Sequence, residues 1–317
     1  MNETTPIQAP TFSGHESFPL RFTWLTKAVR TCEFAGHRDL FTRGDAVVLL
    51  GVGKNMVRSI RFWATNTGVL EQVDSKARPV QYQPSALGTM LFGKDGYDPF
   101  MEDPGTIWLL HWQLATKRHL GTWFWVFNDL REVEFQRQTI VRELLKAVKL
   151  RGEKKVAEDT IERDVDCLLR TYLPSDPDKR FSREELLDCP LTELGLIRRS
   201  GERDTFTFLR GAHESLPLAV FAFALLSFWQ EIAPRSNTLR FDQIAFLPGS
   251  PGQVFKLSEN ATINLLHDLS LLTKGKMRFD ETSGLRQVLR DGIVDGMKVL
   301  ESYYRLGARE VSNVARR

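Results

Sequence analysis

Apolar positions fall at helical spacing in several separate stretches of the chain. Ala46, Val47 and Leu50 make one short apolar face, and Gly51-Val52-Gly53 follows as a tight turn. A second helix is expected from Lys54. In it Val57, Ile60 and Ala64 recur at core-facing spacing, while Lys54, Arg58, Arg61 and Thr65 share another face with Asn55 beside them. Gly68 ends this helix, and VLEQVDSKARPVQYQPS reads as two short strands about a polar turn. Helix, turn, helix and hairpin together outline a winged helix-turn-helix.

The outline recurs loosely, without a fixed period. Between Gln138 and Leu173 an apolar-faced helix TIVRELLKAV, a charged turn RGEKK and a helix EDTIERDVDCLLRTY follow one another, with Ile161, Val165, Leu168 and Leu169 in line and Pro174 as the stop. A third, fainter copy starts at Phe241. There Ser258 opens a helix ENATINLLHDLSLL, and LTKGKMRFDETSGLRQVLR resembles a hairpin. Thr106 to Leu130 carries Trp108, Trp112, Trp123 and Trp125 and is expected to form a helical hairpin packed on the first module. The pattern therefore predicts an α+β fold, predominantly α, built of tandem winged helix-turn-helix modules. The expected domains are residues 1–132, 133–212 and 213–317. The longest apolar run, Leu216 to Trp229, has 14 residues, short of the ~20 that cross a bilayer, and reads as a buried helix.

Composition refines this picture. With 317 residues, 42% hydrophobic and 26% charged, the chain can bury a substantial core, which excludes a disordered or collagenous class. Its first residues, MNETTPIQAPTF, lack the basic start and apolar run of a secretory signal, so a cytoplasmic location is expected. Cys32, Cys167 and Cys189 are odd in number, far apart and outside any zinc-ligand spacing, and are expected to be buried thiols. The net charge of +3 is uninformative, but its distribution is not. Ala46 to Leu70 holds three basic residues and no acidic one, Arg137 to Lys155 seven against two, and Lys274 to Arg290 five against two.

Three constellations carry candidate chemistry. On the helix from Lys54, Arg58 and Arg61 are able to reach guanine edges or phosphates, Asn55 suits adenine, and Lys54 neutralises phosphate; the bland alternative is a solvated face. Lys154 and Lys155 in the charged turn, and Lys274 and Lys276 near the last hairpin, are further candidate phosphate contacts. In TFSGHESFPLRFTW, Gly14-His15-Glu16 is expected in a turn before a helix opened by Pro19. His15, Glu16 and Arg21 supply a base, a carboxylate and a cation, the parts that phosphodiester cleavage needs, unless the histidine is structural. In GKDGYDPFMEDPG, Asp95, Asp98, Glu102 and Asp103 crowd a loop, and Asp98, Glu102 and Asp103 with Glu16 are candidate ligands for Mg²⁺ or Mn²⁺, or are simply turn residues and caps. There is no P-loop, GxSxG, HExxH or GxGxxG, so nucleotide hydrolysis, ester hydrolysis, zinc proteolysis and dinucleotide binding have no support.

FSGHESFPLRFTWLTKAVR, AVVLLGVGKNMVRSIRFWATNTGVL and DPFMEDPGTIWLLHWQLA, taken together, resemble the SspB family, and VAEDTIERDVDCLLRTY, CPLTELGLI and AFLPGSPGQVFKLS extend the similarity over most of the chain. The resemblance implies a DNA-binding endonuclease that nicks one strand of duplex DNA within a bacterial phosphorothioation system for phage defence. It also implies work beside a cysteine desulfurase, an ATPase and a sulfur transferase. The reading from residue chemistry is a metal-dependent nick in which Glu16 ligates the cation, His15 activates or orients water, and Arg21 stabilises charge on phosphorus. The rival readings are a non-catalytic DNA-binding adaptor or regulator that recruits the modification machinery, and a protein-interaction scaffold.

Overall fold

A computed structural model of the chain describes residues 10–34, 36–74, 76, 78–150, 156–175, 189–201, 204–282 and 284–314. It is a mixed α/β structure, about half helical, with small sheets. Contacts divide it into two compact units, one of Met1–Met101 with Gln113–Leu209 and one of Glu102–Trp112 with Arg210–Arg317.

The first unit begins with α1 (Trp24–Phe34), a 3-10 turn at Leu40–Thr42, α2 (Ala46–Leu50) and α3 (Lys54–Asn66). Gly51 closes α2 in the left-handed conformation, φ 63°, with its N–H turned back on the last carbonyls, which only glycine adopts without strain. With five residues, α2 buries Ala46 and Leu50 alone; Val47, expected on its apolar face, is 41% exposed because one turn offers only the i, i+4 pair to the core. α3 buries Val57, Ile60, Trp63 and Ala64, as its stripe predicts. β1 (Leu70–Gln72) and β2 (Tyr82–Pro84) then pair antiparallel, and α4 (Ala86–Phe92) follows with Ser85 as N-cap. α5 (Pro104–Thr116), which belongs to the second unit as far as Trp112, leads to α6 (Gly121–Phe124) of the first, which continues as a π-helical turn, Trp125–Asp129.

The rest of the first unit is β3 (Glu134–Gln136), α7 (Arg137–Leu150), α8 (Glu158–Tyr172), a 3-10 turn at Pro190–Leu194, β4 (Ile197–Arg199) and β5 (Thr205–Phe208). β3 joins the hairpin through β5, in the order β3-β5-β4, with Phe135 opposite Phe206 and Ile197 opposite Phe208. The second unit repeats this topology. After α9 (Leu218–Ile232) come β6 (Thr238–Arg240), α10 (Phe241–Phe246), α11 (Pro251–Val254), α12 (Glu259–Leu272), β7 (Met277–Thr282), β8 (Leu285–Arg290) and α13 (Gly296–Val314), with sheet order β6-β8-β7. In both sheets a strand that precedes the helices pairs with the last strand of the hairpin. The copy that is faintest in sequence has the longest hairpin, with six residue pairs in register.

α9 buries Val220, Phe221, Ala224, Leu225, Phe228 and Trp229, in keeping with its nearly continuous apolar sequence. No helix of the described residues is long and apolar enough to cross a membrane. The tryptophan-rich stretch differs from expectation. Trp108 and Trp112 pack on Phe255 of the second unit, while Trp123 packs on Trp63 of the first. The cause lies in α5, which is apolar on most sides and so does not reveal which core each side chain joins. All three cysteines are free and buried, and burial pushes the Cys32 thiol up to about 12.

Candidate nucleic-acid interface

α3 starts without a side-chain cap, on Gly53, and its polar face carries Lys54, Asn55, Arg58 and Arg61, all exposed. The buried stripe and the basic row follow from one periodicity, since residues at i+3 and i+4 from a buried position return to the core and those between point outward. Arg58 lies 3.8 Å from Glu16 Oε1, a half-exposed pair of small energetic weight that leaves the guanidinium accessible.

Glu16 belongs to a tight turn before α1. Gly14 has φ +112°, and a Cβ there would stand 2.9 Å from the Phe62 ring, so this position requires glycine. Glu16 and Ser17 are left-handed, and the Phe18 N–H closes the turn on His15 O at 2.8 Å. The helix expected to open at Pro19 begins at Trp24. Residues 18–21 are instead held outside a helix, with Phe18 O accepting from Trp63 Nε1 and Ser17 O from the Arg170 guanidinium.

His15 is only 3% exposed. Its Nδ1 accepts the Ser17 N–H at 3.0 Å, which places the ring proton on Nε2, where it is donated to Asp164 Oδ1 at 2.6 Å. Asp164 is itself buried, on α8. The ring packs edge-on against Phe62, with Trp123 at 6.0 Å. With both nitrogens engaged, His15 clamps the turn to α8 and has no lone pair left for water. Arg21 lies over the Trp24 ring at 5.4 Å and the Phe18 ring at 6.0 Å.

Asp98 is buried, Asp103 Oδ1 accepts from Gly105 N–H and from Tyr303 Oη, both at 2.7 Å, and Glu16 faces Arg58. Among the described residues no three His, Cys, Asp or Glu side chains gather as a cation site. Lys274 is a left-handed turn residue, and Lys276 Nζ lies 3.4 Å from Ile293 O. On the hairpin beside them, Arg286 and Arg290 lie over the Phe241 and Trp229 rings, which holds these guanidinium groups to their own unit. Lys154 and Lys155 lie outside the described residues.

Two features escape the periodicity. Asp164 is 149 residues from His15, and only tertiary structure joins them. The other was visible in sequence: His15–Leu20 reads HESFPL and His213–Leu218 reads HESLPL. Each copy precedes the long helix that leads into a helix-helix-hairpin. His213 is left-handed, φ 44°, and its carbonyl accepts the Leu216 N–H at 2.8 Å, the same closure as in the first turn. Residues just before each turn are tied down alike, Thr11 in a parallel bridge to Leu120 and Gly211 in one to Leu257. In the second copy His213 Nε2 is buried without a hydrogen-bond partner among the described residues, and burial lowers the pKa of the ring. Nearby, burial pushes His111 down to about 3, and Lys256, completely buried, is pushed well below the usual lysine range by burial and by Arg210.

The family model for DUF4007, described as a protein of unknown function, matches residues 12–304, and the chain belongs to that family. Two solved structures share the fold over 93% of this chain and 88% of their own. They are a magnesium ion-bound SspB crystal structure, 29% identical with a TM-score of 0.81, and an SspB crystal structure, 28% identical with a TM-score of 0.80. The likeness to the SspB family expected from sequence motifs thus holds for the backbone as a whole. No curated protein shows significant similarity.

Proposed function

We propose that this chain is a winged-helix protein that binds duplex DNA and nicks one strand within a bacterial phosphorothioation and phage-defence system. The observation that carries DNA binding is the exposed row Lys54, Asn55, Arg58 and Arg61 on α3, with the β1/β2 hairpin following it in the order of a recognition helix and its wing. Lys54, Arg58 and Arg61 neutralise phosphates, and Asn55 is placed among them to read a base edge. The segments that carry the two three-stranded sheets are read as further winged helices from their strand order, with Lys274 and Lys276 as secondary contacts.

The assignment to phosphorothioation rests on the likeness to SspB; Mg²⁺ is supported by the magnesium ion-bound relative, and Mn²⁺ is its alternative in this reading. A cytoplasmic location and work beside a desulfurase, an ATPase and a sulfur transferase belong to the same reading. Within it His15 is a positioning residue, which holds the turn bearing Glu16 beside Arg58.

The test is conversion of supercoiled plasmid to open circles by purified protein with Mg²⁺ or Mn²⁺, and its loss with chelator. A second reading, a DNA-binding adaptor that recruits the modification machinery, draws support from the engagement of both His15 nitrogens. Plasmid binding without relaxation under any metal would select it.

A further inference from the structure

A groove of about 560 Å³ opens in the first unit between the C-terminal half of α3, the β1/β2 hairpin and residues 117–120. Arg61 and Thr65 line it from α3, Leu70, Gln72 and Tyr82 from the hairpin, and Lys117 and His119 from the third side. Its floor is Asn66, whose Nδ2 donates to Phe62 O at 2.8 Å, which leaves Oδ1 to accept from His119 Nε2 at 2.9 Å. His119 thereby keeps Nδ1, which donates to an anion when the ring is protonated. Lys117 Nζ donates to Thr65 O at 3.0 Å, satisfying one terminal carbonyl of α3 and leaving two of its protons unused by that bond. The single carboxylate of the lining, Glu71, accepts from Gln83 Nε2 at 2.8 Å on the neighbouring strand.

A lysine that merely capped α3 would need neither a histidine nor an arginine beside it, nor an open groove in front. Three basic side chains from two segments converge here against one carboxylate. Burial brings Lys117 down to about 8 and lowers His119 as well, with Lys117 contributing to the latter. An anion in the groove would relieve both groups, since Lys117 is held toward its neutral form by lost hydration and His119 by lost hydration and the charge of Lys117.

We propose that this groove binds a phosphate of a nucleic-acid strand, held by Arg61, Lys117 and His119. The proposal rests on the DNA-binding reading above and extends the phosphate path from the exposed face of α3 to its C-terminal end beside the hairpin. A free phosphate compound offers the same chemistry, and the experiment separates the two sources.

Affinity for a labelled 20-base-pair duplex is measured by fluorescence anisotropy at several salt concentrations. The wild type is compared with Lys117→Gln, His119→Gln, Lys117→Arg and, on the outer face of α3, Lys54→Ala with Arg58→Ala. Lys117→Gln and His119→Gln are each expected to weaken binding about 3- to 10-fold, and Lys117→Gln to lower the salt slope by about one. Lys117→Arg, which keeps the charge, should retain the wild-type slope. Thermal unfolding of each variant identifies a loss due to misfolding, and the Lys117→Arg slope then decides. Wild-type affinity and slope in both glutamine variants, with weaker binding in the Lys54/Arg58 variant, would overturn the groove while leaving α3 in place. No DNA binding by any form would overturn the reading on which it rests. Saturable binding of inorganic phosphate, abolished by Lys117→Gln while duplex affinity is untouched, would overturn the strand as the source.

Discussion

The two His-Glu-Ser turns of this chain share five of six residues and the same backbone closure, yet one histidine is bonded at both ring nitrogens and the other keeps Nε2 buried without a hydrogen-bond partner among the described residues. The first turn has glycine at position 14, packed on Phe62; the second has Ala212, exposed, at the corresponding place. The hydrogen-bonded closure therefore recurs with the local sequence, although the left-handed residues are Glu16 and Ser17 in the first turn and His213 in the second, and side-chain wiring depends on a partner from far along the chain. Asp164 makes His15 a clamp. The second unit instead places His111 and His213 beside the buried Lys256, where desolvation holds both rings toward the neutral form.

The largest effect that separates the turns is thermodynamic. His15→Ala strands the buried Asp164 carboxylate and should cost about 3–5 kcal/mol in urea unfolding. His213→Ala removes no hydrogen bond at Nε2 and should cost about 1–2 kcal/mol. Equal costs would remove the distinction. Gly14→Ala comes next, at about 1–3 kcal/mol, because a Cβ at φ +112° is strained and meets Phe62; Ala212→Gly should change stability by less than about 1 kcal/mol.

Acid sharpens the comparison. His111 titrates near 6.5 when unfolded and at about 3 when folded, so between these values the unfolded chain binds more protons and stability falls as pH falls. The loss should approach about 1.4 kcal/mol per pH unit below 6.5. His111→Gln should flatten that limb of a plot of melting temperature against pH; an unchanged limb would place the acid sensitivity elsewhere.

Much of the fold was legible because helical stripes such as Val57, Ile60 and Ala64 are long enough to show a period. β3 and β6 were not, since three residues are too few for alternation to register, and these are the strands that complete each sheet. The split allegiance of Trp108 and Trp123 was hidden because apolarity alone does not name a core. At the candidate site the basic row of α3 was read correctly as an exposed face. The engagement of His15 was not legible, since its carboxylate comes from α8, and Lys117 and His119 became visible only when folding brought them to the end of α3.

The exposed face of α3 as a DNA contact is the central claim, and the salt dependence of duplex binding tests it most directly. Replacing Arg58 and Arg61 together by alanine should weaken binding and lower the slope of log affinity against log salt by about two, one for each lost phosphate contact. An unchanged slope with intact folding would contradict the claim and remove α3 from the interface.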